Sequence, residues 1–306
     1  MGRMRGIAER AHLFCLYGYK FLELFFVVQG DVVHLFCSRK RVKNVKQIID
    51  MKQYFNLQGQ VAVVTGASTG LGLQMAKALA NQGANLVLLA RRMNLLEANA
   101  EAISREYGVE VLPLQCDITV TEQVKAAVAA TMERFGRIDI LINNAGTGAV
   151  APAEEITDEQ FKHEMEVDLF GTFVCAREIG KEMIKAGYGR IINIASMYGL
   201  VGNMIAGCSP YHAAKGGVVN LTRALAAEWG KYGVTVNSIC PGYFYTDLTT
   251  ATLDSDYFQA IAKRSIPLER YGREGELDTC ALFLASPMST YVNGQNIAVD
   301  GGYTSI

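Results

Sequence analysis

A tyrosine and a lysine stand four residues apart, at Tyr211 and Lys215, near the start of a segment with helical spacing. Residues four apart lie on one face of an α-helix, so these side chains are expected to meet. A free tyrosine has a pKa near ~10, too high for a good base at neutral pH. A nearby ammonium charge favours the phenolate, so Lys215 is expected to lower the pKa of Tyr211. The spacing indicates an acid/base tyrosine with a tuning cation, and the alternative is an ordinary surface pair.

A glycine-rich segment, TGASTGLG at 65–72, separates a β-branched run at 61–66 from a segment with helical spacing at 71–84. Glycines permit a tight turn and a close approach of the backbone to a pyrophosphate. The helix that follows offers free N–H groups to an anion. The glycine spacing is G-x-x-x-G-x-G rather than G-x-G-x-x-G. The position, in the first strand–helix unit of the chain, favours a dinucleotide-binding turn over an ordinary strand–helix turn.

Strand-like and helix-like segments alternate along the chain. Near-continuous apolar strands between amphipathic helices imply a parallel sheet covered on both faces. We expect an α/β fold, a single-domain doubly wound (Rossmann) sheet of about seven strands. The predicted strands are 61–66, 85–90, 109–119, 138–146, 189–196, 234–242 and 296–302. A long continuous helix is predicted over 156–187, a second over 210–230, and a substrate lid near 243–275.

Four motifs occur together: the turn at 65–72, NNAG at 143–146, Tyr-x-x-x-Lys at 211–215 and PG at 241–242. Together they resemble the short-chain dehydrogenase/reductase family from about residue 57 to the end, but not over 1–50. The resemblance implies an NAD(P)-dependent oxidoreductase that interconverts a secondary alcohol and a ketone. The chain is most similar to gluconate 5-dehydrogenase-like members, which implies a sugar acid or polyol substrate. A 3-oxoacyl-[acyl-carrier-protein] reductase or another carbonyl reductase is the alternative, and a non-catalytic dinucleotide-binding regulator is a further one.

The resemblance gives four residues catalytic roles. Tyr211 is the acid/base, Lys215 also binds the nicotinamide ribose, and Ser196 hydrogen-bonds the substrate oxygen. Ser196 precedes Tyr211 by 15 residues, slightly more than the family interval, so extra residues are expected in a loop at the substrate mouth. Asp168 stands where the family commonly has an asparagine that holds a water, and it is assigned to the proton relay. If Asp168 pairs with Lys215, it would weaken the effect of the lysine on Tyr211.

The cofactor-binding set extends beyond Tyr211 and Lys215. It consists of Gly66, Ser68, Thr69, Gly70, Leu71, Gly72, Arg91, Arg92, Asp117, Ile118, Asn143, Ala145, Gly146, Pro241, Gly242 and Thr246. By resemblance, Asp117 contacts the adenine amine, the 143–146 motif lines the cofactor cleft, and 241–246 meets the nicotinamide end.

The end of the second predicted strand bears on the choice of nicotinamide cofactor. A free ribose 2′-hydroxyl is usually bound there by an acidic side chain, whereas a 2′-phosphate is usually bound by a cationic one. This chain has Arg91 and Arg92 instead, and Arg91 can pair with a phosphate through two hydrogen bonds. We therefore expect NADP(H). NAD(H) is the alternative, because Thr69 occupies a position where some phosphate-preferring members place a second cation.

The composition of the 306-residue chain limits the classes of partner and cofactor to expect. The formal net charge of −1 gives no reason to expect nucleic acid. Seven scattered cysteines without a C-x-x-C pair argue for a reducing compartment, so a cytoplasmic location is expected. Four histidines show no metal-ligand spacing, so no metal is predicted. A small-molecule substrate is expected, with Arg264 and Arg270 as candidate carboxylate contacts or, alternatively, surface charges. The family suggests a homotetramer through 157–186, 210–230 and the last strand.

Residues 1–50 differ from the rest, with nine basic and four acidic side chains. Lys20, Glu23 and Asp31 interrupt their apolar run, which argues against a spanning helix and a signal peptide. We interpret 1–50 as an extension of a 51–306 domain. It is an upstream stretch added by a mis-assigned start (with Met51 as the candidate start), a peripheral membrane or partner-binding segment, or a membrane anchor.

Overall fold

The computed structural model describes Glu23–Gln29 and Val32–Ser38, together with residues 54–148, 150–205, 207–246 and 249–306. The chain divides into two compact units, Met1–Asp50 and Met51–Ile306. The candidate start Met51 and most of 1–50 lie outside the described residues, so the three interpretations of that extension stay predictions. Among the helices in the described part of the chain, none combines the length and apolar character needed to cross a bilayer.

The first unit contains an antiparallel pair of strands. Strand β1 (Glu23–Gln29) pairs with β2 (Val32–Ser38), so that Glu23 lies opposite Ser38 and Gln29 opposite Val32.

The second unit is built on seven parallel strands, in the order β5-β4-β3-β6-β7-β8-β9. Their bounds are β3 (Val61–Thr65), β4 (Asn85–Ala90), β5 (Val111–Gln115), β6 (Ile140–Asn143), β7 (Gly189–Ile194), β8 (Val234–Pro241) and β9 (Asn296–Val299). The predicted doubly wound Rossmann sheet is confirmed. The strand order reverses at β3, between β4 and β6, and ligands of such sheets bind at that point of their carboxyl edge.

Helices cover both faces of this sheet. They are α1 (Gly70–Asn81), α2 (Met93–Tyr107), α3 (Thr121–Phe135), α4 (Asp158–Glu164), α5 (Thr172–Ala186), α6 (Ser209–Trp229), α7 (Thr250–Leu253), α8 (Asp256–Ser265) and α9 (Asp278–Ala285). Alternate residues of β3 face opposite sides: Ala62 and Val64 belong to the core under α1, α2 and α9, and Val61 and Val63 to the core under α3, α5 and α6. Both layers are buried, and each fully buried leucine-sized side chain contributes about 1.5–3 kcal/mol.

The long helix predicted over 156–187 is helical but not α-helical throughout. A π-helical segment, Met165–Gly171, joins α4 to α5. The hydroxyl of Thr172 donates to the carbonyl of Asp168 at 2.8 Å. A Cβ at Gly171 would lie 2.6 Å from Cδ1 of Ile118, so only glycine fits there without a shift. The wider turn adds a residue to the helix and changes which side chains share a face, and such segments often occur at functional sites.

Candidate active site

Tyr211 and Lys215 lie in the first turns of α6, beside the carboxyl ends of β6 and β7. The ammonium of Lys215 is 5.5 Å from the centre of the Tyr211 ring, and it donates to the carbonyl of Ile194 at 3.1 Å. Lys215 is buried and Tyr211 is half-buried. The expected meeting of these side chains on one helix face is therefore present.

The electrostatic surroundings of Tyr211 differ from the simple expectation. Burial raises the pKa of its phenol, and this effect outweighs the lowering by Lys215 and by a hydrogen bond with Ser196. The negative charges of Asp168 and Glu164 raise the pKa further. Lys215 acts in the predicted direction, but the net pKa of Tyr211 lies above its ordinary value. A further positive charge in the cleft would therefore favour the phenolate form of Tyr211, which alcohol oxidation needs.

Asp168 forms an ion pair with Lys215, the arrangement considered from the sequence. Its Oδ2 is 3.3 Å from the lysine Nζ, and its Oδ1 accepts the backbone N–H of Thr147 at 2.7 Å. Burial raises the pKa of Asp168, with Lys215 opposing that rise. Burial lowers the pKa of Lys215, but its interactions with Tyr211 and Asp168 more than offset this effect, so the net pKa lies above its ordinary value. A Cβ at Gly146 would lie 3.0 Å from Oδ1 of Asp168, so glycine keeps room for this pair.

Ser196 follows β7 and lies next to Tyr211. Its hydroxyl is hydrogen-bonded with Tyr211 and accepts the backbone N–H of Tyr198 at 3.1 Å. Ser209, another serine close to Tyr211 in sequence, is the first residue of α6 and follows the N-cap, Cys208. The ring of His212 stacks on that of Tyr198, with centroids 4.6 Å apart.

The glycine-rich turn packs against the end of β6. Gly66 and Gly70 have φ of +66° and +62°, which favours glycine at both positions. A Cβ at Gly72 would lie 2.4 Å from Nδ2 of Asn144, so a side chain there would push the turn away from its neighbour. No described side chain caps α1 after Thr69, which leaves the amides at this helix start available to a phosphate. This turn fits a dinucleotide pyrophosphate.

Two residues that hold the turn were missed from the sequence. Asn144 donates its side-chain amide to the carbonyls of Thr65 and Gly66, at 3.2 and 3.3 Å. The hydroxyl of Thr65 accepts the N–H groups of Asn144 and Ala145, at 2.9 and 3.0 Å. Asn143, predicted to line the cleft, directs its amide into the sheet interior, to Asn193 at 2.9 Å. The NNAG motif indicated that this segment lines the cofactor cleft, but it did not show which of its two asparagines contacts the glycine-rich turn.

The two arginines after β4 have different surroundings. Arg92 donates to the hydroxyls of Ser68 and Thr69, at 2.8 and 3.0 Å, so its guanidinium lies against the glycine-rich turn. Arg91 is exposed and its carbonyl accepts from Gln115. The sequence favoured Arg91 for a phosphate, whereas the structure brings Arg92 to the turn. Thr69 occupies the position where a second cation was considered, and its hydroxyl accepts a hydrogen bond from Arg92.

The loop after β5 contains Asp117, for which a contact with the adenine was predicted. The carboxylate of Asp117 accepts the hydroxyl and the N–H of Thr119, at 2.7 and 3.0 Å. Burial tends to raise the pKa of Asp117, but these hydrogen bonds and the charge of Arg91 lower it below its ordinary value. Ile118 is buried and packs on Gly171 of the π-helical segment. Leu71 packs on the adjoining core from the first turn of α1.

The segment after β8 lies across from the glycine-rich turn. Pro241 ends β8, and a Cβ at Gly242 would lie 2.8 Å from Cα of Asp300. A Cβ at Gly70 would be 3.8 Å from Cγ2 of Thr246, so this threonine faces the turn. The predicted cofactor residues of the two segments are thus brought together.

The predicted lid carries an aromatic cluster. The hydroxyl oxygens of Tyr198 and Tyr243 are 2.5 Å apart, and Tyr303 packs edge to face on Tyr198, in a cluster that includes Tyr211. Of the candidate carboxylate contacts, Arg270 binds both oxygens of Glu276 at 2.7 Å. Arg264 lies exposed in the last turn of α8.

Glu164 is a buried acid beside the site that the sequence analysis did not single out. It is 1% exposed, at the end of α4. Its charge raises the pKa values of Tyr211, Lys215 and Cys208. The signal was its place four residues before Asp168, which suggests a shared helix face.

Comparison with known proteins shows which family the chain belongs to. A sequence profile described as Enoyl-(Acyl carrier protein) reductase matches residues 66–304. Galactitol 2-dehydrogenase (L-tagatose-forming) of Cereibacter sphaeroides is 38% identical over 256 residues, 84% of this chain and 99% of that protein. The chain belongs to the short-chain dehydrogenase/reductase family. Gluconate 5-dehydrogenase of Gluconobacter oxydans (strain 621H) is 39% identical over 251 residues, 82% of this chain and 96% of that protein.

A solved member of the short-chain dehydrogenase/reductase family has the same fold. The gluconate 5-dehydrogenase of Burkholderia cenocepacia J2315, in complex with NADP and tartrate, superposes with a TM-score of 0.79 at 37% identity. The match covers 83% of this chain and 99% of that one. The protein is therefore an oxidoreductase of this family that uses a nicotinamide dinucleotide. Across the described residues, no cluster of metal-ligating side chains was found.

Proposed function

We propose that this protein interconverts a secondary alcohol and a ketone on a sugar acid or polyol, with NAD(P) as hydride carrier. The observation that carries this is the convergence of Ser196, Tyr211 and Lys215 beside a glycine-rich turn fit for a pyrophosphate. The similarity to galactitol 2-dehydrogenase and gluconate 5-dehydrogenase supports the substrate class.

The proposed roles follow from the contacts around Tyr211. Bound nicotinamide accepts or supplies the hydride. Ser196 hydrogen-bonds the substrate oxygen, and Tyr211 takes the hydroxyl proton in oxidation or gives it to the alkoxide in reduction. Lys215 holds the ribose and favours the phenolate, while Asp168 keeps the lysine positioned and passes the proton onward.

Absorbance at 340 nm tests the proposal, with NADP⁺ and NAD⁺ across polyols and sugar acids, and with the reduced cofactors across the matching ketoses and acyl β-ketones. Turnover of a polyol or sugar acid is the expected result. Turnover of acyl β-ketones alone would favour a 3-oxoacyl-[acyl-carrier-protein] reductase. Cofactor binding without any turnover would favour the non-catalytic regulator. Either of these two results would overturn the proposal.

We infer further that NADP(H) is preferred over NAD(H), and that Arg92 recognises the 2′-phosphate. Arg92 already lies against Ser68 and Thr69, at the turn that would hold the phosphates. A guanidinium suits this task because it stays charged and donates in a planar fork.

Replacing Arg92 with Ala tests this assignment of the cofactor. We expect the affinity for NADPH to fall by about 10- to 100-fold, as the loss of one charge-assisted contact of about 1.5–3 kcal/mol would give. Affinity for NADH should change by less than about threefold, because its ribose lacks the phosphate. Fluorescence titration of both cofactors measures the ratio, with Arg91→Ala as the matched control. A larger loss in Arg91→Ala would return the role to the residue favoured by sequence.

We propose a homotetramer that uses an apolar groove on α4, the π-helical segment and α6 as one contact. The groove is lined mainly by apolar side chains. The side chains of Phe161 and Phe170 are 42% and 44% exposed there. Exposed apolar side chains grouped in one patch typically mark a protein–protein contact. A second copy of the same face would cover them. A cytoplasmic location is also proposed, supported by the free thiols of Cys116, Cys175, Cys240 and Cys280.

Phe170→Asp is expected to dissociate the assembly, because it places a charge in an apolar contact. Sedimentation velocity should show smaller species than for the unmodified protein at the same concentration. Val120→Asp is the control, because Val120 is 42% exposed at the start of α3, outside the groove. An unchanged sedimentation coefficient in Phe170→Asp would contradict this contact.

A further inference from the structure

Ser196 is held in place by the short helical turn that follows it. The turn is Met197–Gly199, and Ser196 is its N-cap, with a hydroxyl oxygen that accepts the N–H of Tyr198 at 3.1 Å. A serine hydroxyl has one hydrogen and two lone pairs, so an oxygen that accepts from this N–H directs its own hydrogen elsewhere. Ser196 is therefore available as a donor to Tyr211, with which it is hydrogen-bonded, or to the oxygen of a substrate.

This turn packs closely against α6. A Cβ at Gly199 would lie 2.7 Å from the carbonyl oxygen of Lys215, so a side chain there would push the turn away from the helix. The ring of Tyr198, in the same turn, stacks on the ring of His212 with an angle of 18° between the ring planes. The backbone and a side chain of the turn thus both rest on the helix that carries Tyr211.

A second contact joins Tyr198 to the beginning of the predicted lid. The hydroxyl oxygens of Tyr198 and Tyr243 are 2.5 Å apart, so one phenol donates to the other. Tyr243 is the second residue after β8, and its ring packs edge to face on Phe258 of α8 and on Tyr271, with centroids 6.1 and 5.5 Å apart. A chain of contacts therefore runs from α8, through this hydroxyl pair, to the turn that Ser196 caps.

The hydroxyl pair is shielded from solvent and stays uncharged. Tyr198 is buried and Tyr243 is half-buried. Burial raises the pKa of both phenols, so each keeps its proton at neutral pH and the contact remains a neutral O–H···O hydrogen bond. Such a bond fixes the orientation of the rings that make it, because breaking it would leave a polar group unsatisfied away from water.

We propose that Tyr198 and Tyr243 are positioning residues, which hold the turn after Ser196 so that the serine hydroxyl donates to the reacting oxygen. This inference rests on the proposed function and adds to it a link between the lid and the chemical step. Tyr198 fixes the backbone N–H that Ser196 accepts, and Tyr243 joins Tyr198 to the segment that leads to α7 and α8. Loss of the hydroxyl pair should therefore slow the chemical step and leave the affinity for substrate nearly unchanged.

Tyr198→Phe and Tyr243→Phe test the proposal, because each removes the hydroxyl pair and keeps both rings. Single-turnover absorbance at 340 nm gives the rate constant of hydride transfer and the half-saturating substrate concentration. We expect the rate constant to fall by about three- to tenfold in either variant, as the loss of one neutral hydrogen bond gives, and the half-saturating concentration to stay within about twofold. The double variant should be no slower than the slower single variant, since both changes break the same bond.

Tyr257→Phe is the matched control, because Tyr257 is a tyrosine of α8 that is 62% exposed. Its rate constant should stay within about twofold of that of the unmodified protein. A raised half-saturating concentration with an unchanged rate constant, in Tyr198→Phe or Tyr243→Phe, would mean that the hydroxyl pair binds substrate instead. That result, or no change of either quantity, would overturn the inference.

A double-mutant cycle with Ser196 tests whether the hydroxyl pair acts through the serine. Ser196→Ala is expected to lower the rate constant of hydride transfer by about 10²-fold, within the range for losing one donor to a developing oxyanion. If Tyr198 acts through Ser196, then Ser196→Ala/Tyr198→Phe should be as active as Ser196→Ala alone, within about twofold. A merely structural effect of Tyr198→Phe would lower the rate constant by the same factor in both backgrounds, which would contradict the positioning role.

The unmodified protein separates this inference from the proposed function. It is first assayed on the panel of polyols and sugar acids with both cofactors, and the substrate turned over fastest is used for every variant. No turnover on the panel would overturn both, because a positioning role needs the reaction. Turnover on the panel, together with independent effects of the Ser196 and Tyr198 substitutions, would leave the proposed function standing and remove the positioning role alone.

Discussion

Tyr211→Phe is expected to lower kcat/KM by about 10³-fold or more, within the range that general acid–base catalysis supplies. The change removes only the phenol oxygen, which is hydrogen-bonded with Ser196. The ring that packs beside Lys215 stays in place. Affinity for NADPH should therefore change by less than about threefold, as small losses of contact give. Initial rates at 340 nm and a fluorescence titration measure the two quantities on the same preparation.

The control for this substitution is Tyr232→Phe, because Tyr232 is 43% exposed in the short helical turn after α6. It should keep its activity within about twofold, as surface substitutions do. If Tyr211→Phe retained more than about a tenth of the activity, the proton would have another donor and the proposed mechanism would be wrong.

Lys215→Met is expected to affect activity and stability together. The lysine charge that favours the phenolate is lost, so kcat/KM should fall by about 10²-fold or more. The variant also leaves Asp168, which is fully buried, without its ionic partner. Breaking a buried pair in this way costs about 3–5 kcal/mol. For a chain of this size that is a fall in Tm of about 6–20 °C, measurable by thermal unfolding.

The double variant Lys215→Met/Asp168→Asn separates these two effects. Removing the unpaired carboxylate should restore most of the lost Tm, while activity stays low because the cation is still missing. Lys185→Met is the control for losing a lysine, since its pair with Glu182 is exposed and worth about 0–1 kcal/mol. A double variant as unstable as Lys215→Met alone would show that the stability loss does not come from the charge of Asp168.

Much of the fold was predictable because the chain alternates between two hydrophobic periods. Strand β3 is buried at every position, since Ala62 and Val63 face opposite covered layers. Element ends were less predictable. The last strand was expected over 296–302 but ends at Val299, and Gly301 and Gly302 follow with φ of +68° and +91°. A glycine in sequence does not show whether its backbone takes the left-handed conformation.

The meeting of Tyr211, Lys215 and Ser196 was predictable, because the motifs fix where their backbones lie. It was less predictable where the choice between neighbours depends on side-chain direction. Arg92 rather than Arg91 reaches Ser68. This depends on the side-chain rotamers and on the residue at which β4 ends, and neither can be read from the sequence. Glu164 was missed because a charged residue amid polar neighbours ordinarily indicates a solvated face.

The π-helical segment Met165–Gly171 contributes Phe170 to the apolar groove and Asp168 to the ion pair with Lys215. One residue corresponds to about 100° of rotation about a helix axis. Loss of a single residue from this segment would let it relax to an α-helix and turn α4 by that angle relative to α5. That rotation would carry Phe161 and Glu164, both on α4, away from their present positions. One extra residue in this helix thus sets the orientation of the groove residue Phe161 and of the buried Glu164 together.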